Sequence, residues 1–373
     1  MIGARLLQAR RAAGLSLREL AARAEISAMA LSKYERDLMS PAPASLEKLA
    51  RVLSVDADFF HCPLKIALSE PSFRKRGTLS RREGERITFA LRQSLERMLD
   101  LEHIFGVARS AFFSLPPAVT REVRSLEDVE LRADSLRQHW NLGAAPLESV
   151  ASIMEEHGIK VFVSDAPEGV DGFSCRARGG WVNAREAPVI VISSRLPGDR
   201  QRFSMLHELG HLVLDTAVDI DREKACHRFA GAFLVPREAA LRELGVRRSR
   251  LSFYELKILK QKYGISMQAL VYRAADLAVI SRTMAQGLFT AMSRRGWKKK
   301  EPCEIGREEP RRYKLLLFQA VVEGLITRQQ ALEYLGEPVE ETRHELEAEW
   351  VFEELSELLQ DDFPDLDRAG FEQ

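Results

Sequence analysis

The sequence predicts an α+β protein that is mostly α, on three observations. Short, separately punctuated helical patterns fill the first 60 residues, β-branched segments bounded by Gly and Pro cluster between residues 159 and 193, and helical periodicity then resumes. A chain of 373 residues, 45% hydrophobic and 29% charged, can bury a sizeable core and form two or three domains.

No apolar run approaches the length of a membrane span, and arginines interrupt the apolar positions of "MIGARLLQARRAAG", so a cytoplasmic chain without membrane attachment is expected. Cys62, Cys175, Cys226 and Cys303 lie far apart with no C-x-x-C pair, which argues against a disulfide scaffold and against a cysteine-ligated zinc. The net charge of zero hides segregation. Residues 1–36 carry seven Arg/Lys against three Glu, whereas residues 337–373 carry fourteen acids against Arg343 and Arg368. One end suits a polyanion and the other repels it.

Taking the elements in order, Ile2, Leu6, Leu7 and Ala13 give a first helix that stops at Gly14. Ser16 with Glu19 three residues later forms a capping box that starts a second, in which each side chain satisfies the other's free backbone N–H. Ser27 can cap a third helix, "AMALSKYER", and "SPAPASLEKLARVLSV" supplies a proline-rich loop and a fourth. Two short helices joined by a tight turn are a helix-turn-helix arrangement.

The residues "LRELAARAEISAMALSKYERDLMSPAPASLEKLARVL" resemble the Xre/Cro-type DNA-binding domain. That resemblance implies a five-helix bundle over residues 1–68 whose third helix lies in the major groove of double-stranded operator DNA. Ala28, Met29, Ser32 and Lys33 would face the DNA while Ile26, Leu31 and Tyr34 pack inward. Arg18 stands at the start of the second helix, where the family more often has glutamine. Ala28 and Met29 offer methyl contacts rather than hydrogen bonds, so modest base discrimination is expected.

Residues 69–135 read as a basic joint and a connector helix. Arg74, Lys75, Arg76, Arg81 and Arg82 precede the periodic "TFALRQSLERMLDLEHIFG" and read chiefly as a solvated face, with an auxiliary contact to the DNA backbone as the functional alternative. A second domain over 136–285 opens with a helix in "LESVASIMEEHG", followed by the strand-like "IKVFV", "VDGFSCRA", "GGWVNA" and "APVIVIS".

After these strands comes "FSMLHELGHLVLD". Residues four apart on a helix lie on one face, about 5–6 Å between Cβ atoms, so His207 and His211 can reach one metal ion. In such a pattern two imidazoles hold Zn²⁺ and the carboxylate after the first histidine, here Glu208, addresses a water at an open position. The metal lowers that water's pKa from 15.7 toward about 7, and the glutamate takes the proton and delivers it to the leaving amine. Gly210 permits a close approach. The candidates for a third ligand are Asp215, Asp219, Asp221, Glu223 and His227.

Together with "EKACHRFAGAFLVP", this segment resembles the ImmA/IrrE family of zinc metallopeptidases. The resemblance implies a minimal zincin-like domain, one Zn²⁺ or another divalent metal per chain, and Glu223 as the third ligand. His227, one turn on, would face the water or an oxyanion, or is a polar neighbour of the site. Cys226 reads as a small core residue. The match extends through "VDGFSCRA", "LKQKYGISMQALVYRAADL" and "MSRRGWKKKEP" to members fused to Xre domains. It implies a bacterial regulator that cleaves or controls a repressor or toxin encoded nearby.

Residues 286–373 read as a helical region whose acidic end bears an apolar stripe, Trp350, Phe352, Leu355, Leu358 and Leu359. Two function classes follow: a regulatory metallopeptidase, or an antitoxin or autorepressor that neutralises by binding, with a structural or vestigial metal site. A homodimer is compatible with either.

Overall fold

The structure is a computed structural model that describes residues 2–69, 72–73, 80–106, 111, 113–165, 169–181, 184–298 and 300–335. Its mostly helical α+β architecture matches the expected class. The first four helices are α1 (Ile2–Ala12), α2 (Leu17–Arg23), α3 (Ala28–Glu35) and α4 (Pro43–Leu53), and a single 3-10 turn at Ala57–Phe60 is the fifth member. Both halves of the Ser16–Glu19 capping box form, and the Ser27 hydroxyl accepts from the Ala30 amide. Leu6, Leu20, Leu31, Leu49 and Phe60 meet in a core of their own.

The chain then enters a sheet before any helix. Strands β1 (Ile66–Leu68) and β2 (Ser72–Phe73) precede α5 (Arg81–Phe105), which starts at Arg81 rather than Thr88 because Ser80 and Glu83 form a capping box. The helix α6 (Leu126–His139), absent from the sequence reading, is likewise started by Ser125 and Asp128, and α7 (Val150–Glu156) follows.

Strands β3 (Lys160–Ser164), β4 (Gly172–Trp181) and β5 (Ala184–Ser193) complete a five-stranded mixed sheet of order β1-β4-β5-β3, with β2 also on β4. Gly172–Ala177 of "VDGFSCRA" and Gly179–Trp181 of "GGWVNA" thus lie on one strand, β4, with a register shift between Arg178 and Trp181, whereas Ala184 begins β5. Side-chain alternation gives the sheet two unlike faces. Phe173, Cys175, Ala177, Ala187, Val189 and Val191 pack on Ile87, Leu91, Leu95 and Leu99 of α5. Val161, Ile190 and Ile192 face the opposite way, into the main core. What reads as a connector is the layer that covers the sheet.

Helices α8 (Gly198–Val213), α9 (Arg222–Leu234), α10 (Arg237–Leu244), α11 (Phe253–Tyr263), α12 (Met267–Asp276) and α13 (Arg282–Arg294) build that second face. The segment after α13 is held by carboxylates. Glu301 accepts from the Met267 and Gln268 amides at the start of α12 and pairs with Lys260, and Glu308 accepts from the Val150 and Ala151 amides at the start of α7 and pairs with Arg202. Each acid also meets the positive end of a helix dipole.

Residues up to Arg312 form one compact unit, and a second begins at Tyr313. In the second, α14 (Arg312–Val322) and α15 (Arg328–Leu335) are joined by a hydrogen bond from the Tyr313 hydroxyl to the Tyr334 carbonyl. The acidic stripe from Trp350 to Leu359 lies outside the described residues. Among the described residues, no helix is long and apolar enough to cross a membrane.

Candidate functional site

Helix α8 carries "HELGH" on its last two turns, and α9 crosses it with Glu223 in its first turn. The crossing is close because of Gly210: a Cβ there would meet the Cα, Cβ and Sγ of Cys226 at 3.2 Å. Cys226 is fully buried, as a small core residue should be. Asp221 caps α9 by accepting from the Lys224 amide, and Arg222 donates to the His211 carbonyl (2.9 Å), which fastens the start of α9 to the end of α8.

These contacts bring three donor atoms together. His207 Nε2 and His211 Nε2 are 3.1 Å apart, His207 Nε2 is 3.4 Å from Glu223 Oε2, and His211 Nε2 is 3.2 Å from Glu223 Oε1. Ligands about 2.0–2.2 Å from a tetrahedral ion are separated by about 3.3–3.6 Å; the separations here, 3.1, 3.2 and 3.4 Å, fall in or just below that range, so the residue types and spacing are compatible with a Zn²⁺-sized ion. His207 is wholly buried, and Glu223 is exposed at the rim. Ligand atoms of His207, Glu208 and His211 converge as one group and those of His207, Glu223 and His227 as another; Asp215 and Asp219 belong to neither among the described residues, and Asp221 serves as a cap.

Glu208 is 1% exposed, and its Oε2 accepts a hydrogen bond from the Ser174 hydroxyl on β4 at 2.8 Å. Sequence reasoning missed Ser174. The alternation F-S-C-R-A put it on the opposite face from Phe173 and Cys175, but which face meets α8 is a tertiary fact. His227 joins the cluster: its ring centroid is 4.5 Å from that of His207, it stacks on Phe203 at 5.8 Å, and it is exposed. A second missed constellation holds α9 in place, with the buried Glu130 of α6 accepting from Arg228 of α9 and from Arg273 of α12.

At the N-terminal bundle, Arg18, Ala28, Met29 and Lys33 are exposed, Met29 by 72%, while Leu31 and Tyr34 are buried. Ser32 is half-buried and its hydroxyl accepts from Arg36. Arg10 of α1 bonds Glu35 of α3 at 2.9 Å, fixing the exposed helix to the bundle. In the basic joint, Arg74, Lys75 and Arg76 and the side chain of Arg81 lie outside the described residues. Arg82 donates to the Ala13 carbonyl (3.2 Å) and lies over Gly14, whose φ of +64° and missing Cβ make room for it.

Two protein families match separate parts of the chain. Residues 6–60 match the helix-turn-helix family, and residues 154–275 match the peptidase family described as the IrrE N-terminal-like domain. No curated protein matches the chain. The chain therefore joins an Xre-type helix-turn-helix domain to an IrrE-like domain of a peptidase family.

Proposed function

We propose that this chain is a DNA-binding transcriptional regulator whose IrrE-like domain is a zinc metallopeptidase acting on one protein partner, a repressor or toxin encoded nearby. The observation that carries the reading is the pairing of a three-donor cluster, His207, His211 and Glu223, with a buried carboxylate beside it, Glu208, that the cluster does not need. A purely structural site has no use for Glu208.

A Zn²⁺ ion held by the three ligands would act as a Lewis acid on the scissile carbonyl and acidify water next to it. Glu208 takes the proton of the attacking water and returns it to the leaving nitrogen. The Ser174 hydroxyl, donating to Oε2, orients that carboxylate. In this reading His227, exposed beside His207, donates to the oxyanion that forms as water adds to the carbonyl. In the bundle, Lys33 and Arg18 neutralise phosphates while Ala28, Met29 and Ser32 of α3 face base edges. A cytoplasmic location and a homodimer on operator DNA complete this reading.

The test is Glu208→Gln, which keeps size and metal ligands but removes the proton acceptor. The chain is co-expressed with its neighbouring gene product and the partner's length is followed by mass spectrometry. Cleavage by the native chain that disappears in the variant, with DNA binding retained, is the expected result. A partner left intact by both, and neutralised equally by both, would make the "HELGH" helix a metal-stabilised scaffold inside a binding protein.

A further inference from the structure

The outer edge of β4 is filled by the chain's own segment leading out of the helix-turn-helix domain. Ile66, Ala67 and Leu68 pair antiparallel with Gly179, Arg178 and Ala177. Ser69 continues the ladder, donating its amide to the Arg176 carbonyl (2.9 Å), and its hydroxyl accepts from the Arg176 amide (2.9 Å). Ser72 and Phe73 then pair with Ser174 and Phe173. Gly179 makes room for the approach, since a Cβ there would meet the Lys65 carbonyl oxygen at 2.9 Å.

The register is what gives this pairing a functional meaning. Ser174 is the residue that hydrogen-bonds Glu208, and its strand partner is Ser72. Neighbouring strands lie about 4.8 Å apart, so the backbone at Ser72 runs one strand away from the residue that holds the proton acceptor. Pairing with a sheet edge is a general way for proteins to bind extended polypeptide, because the main-chain ladder fits any sequence. Here that position is taken. The occupying strands are only three and two residues long, so few ladder hydrogen bonds hold them, although Ile66 also packs in the core under α5.

We propose that residues 66–69 and 72–73 form a built-in strand competitor: they hold the edge of β4 that an extended polypeptide would pair with to reach Glu208, so that binding of such a polypeptide requires their displacement. The proposal rests on the peptidase reading for its purpose, but the strand exchange itself does not need catalysis. The segment is anchored at its start to the bundle and to α5. Arg5 of α1, 2% exposed, donates to the Cys62 and Pro63 carbonyls and pairs with Glu96, whose other oxygen accepts from the Lys65 amide. The position of the DNA-binding bundle and the occupancy of the β4 edge are therefore mechanically joined.

The experiment measures strand exchange in the full-length chain, in a Glu208→Gln background so that no peptide is consumed. A fluorescein-labelled peptide of residues 64–73, LKIALSEPSF, is titrated against three forms. In the otherwise native form the tethered strand competes at an effective concentration of about 1 mM, so binding should be weak. Ala67→Pro with Ser69→Pro removes two amides from the same side of the ladder, and the peptide should bind at least tenfold more tightly. Ala67→Cys with Arg178→Cys, in a Cys62→Ser background, locks the strand by a disulfide between register partners; binding should vanish and return on reduction. Equal affinity in the proline, locked and native forms, or none in any of them, overturns the proposal. A proline variant that fails to fold leaves the locked form decisive, because unchanged binding there before and after reduction overturns it as well. Either result leaves cleavage of the partner by the native chain to be judged separately.

Discussion

The helix-turn-helix bundle and the α8–α9 crossing place their chemistry in opposite ways. In the bundle the exposed side chains of α3 are the ones offered to a ligand, and the buried ones, Leu31 and Tyr34, only hold the helix in place. In the crossing, His207 and Glu208 are themselves buried, so the packing of α8 on α9 and on β4 is part of the site. The same contrast holds for charge. The peptidase region buries ion pairs such as Arg273–Glu130, Lys260–Asp199 and Lys160–Glu102, whereas most charges of the bundle face solvent. Function can be changed in the bundle without touching its fold. In the crossing the two are coupled.

The sharpest way to break that comparison is to remove a ligand from the crossing. In His207→Ala and in Glu223→Ala, metal content after dialysis should fall from about one ion per chain to near zero, an affinity loss above about 100-fold. Promoter-DNA affinity should stay within about twofold in both. Full metal in both variants would dissolve the assignment, and lost DNA binding would show that the two regions are not separable. The converse substitution, Arg18→Ala with Lys33→Ala, should leave metal content alone. It should weaken DNA binding about 10–100-fold and flatten the dependence of log K on log salt by about 1.8, one unit of 0.9 per lost phosphate contact. An unchanged salt slope would turn the bundle into a protein-binding module.

The two regions were also unequally legible. The bundle could be read almost residue by residue, because Ser16–Glu19, Ser27 and Gly14 are local signals that act within one turn of themselves. In the crossing, His207, Glu208 and His211 stood out as polar residues in an apolar helix, yet their spacing left five candidates for a third ligand, and only the family resemblance pointed to Glu223. What no local pattern carried was contact across the fold. Ser174 on Glu208, Glu130 on Arg228 and Arg273, and the role of α5 as a cover for the sheet each depend on segments at least 34 residues apart. The start of α5 was a different kind of miss. Its capping box, Ser80 with Glu83, was in the sequence, hidden by a run of charges.

A smaller effect separates the regions by packing alone. Gly210→Val would drive side-chain carbons into Cys226 and push α9 away from α8, costing about 1–3 kcal/mol and weakening metal retention along with stability. Ser16→Ala, which removes one cap from α2, should cost about 1 kcal/mol with no change in metal retention. Chemical denaturation of the full chain with parallel metal analysis distinguishes them. If Gly210→Val lowers stability but holds metal as firmly as the native chain, the close crossing is not what sets the ligand geometry.

The narrowest test is a pH dependence in the peptidase region between about pH 5 and 7.5. Burial pushes the Glu155 carboxyl up to about 7 from the ordinary 4.5, opposed by the backbone amides of Arg312 and Arg311 and by the charges of Arg312 and Lys160. Because the folded value lies above the unfolded one, the folded chain holds a proton between these limits that the unfolded chain has released. The resulting stability is fully present below about pH 4.5 and is lost as pH rises through about 7. Glu155→Gln keeps the shape and an acceptor oxygen but cannot titrate, so its stability relative to native should rise between pH 5 and 7.5. Urea midpoints of the two proteins across that range provide the measurement. Curves that stay parallel would mean that the Arg311 and Arg312 amides fully offset burial, and Glu155 would not be a source of pH dependence in the peptidase region.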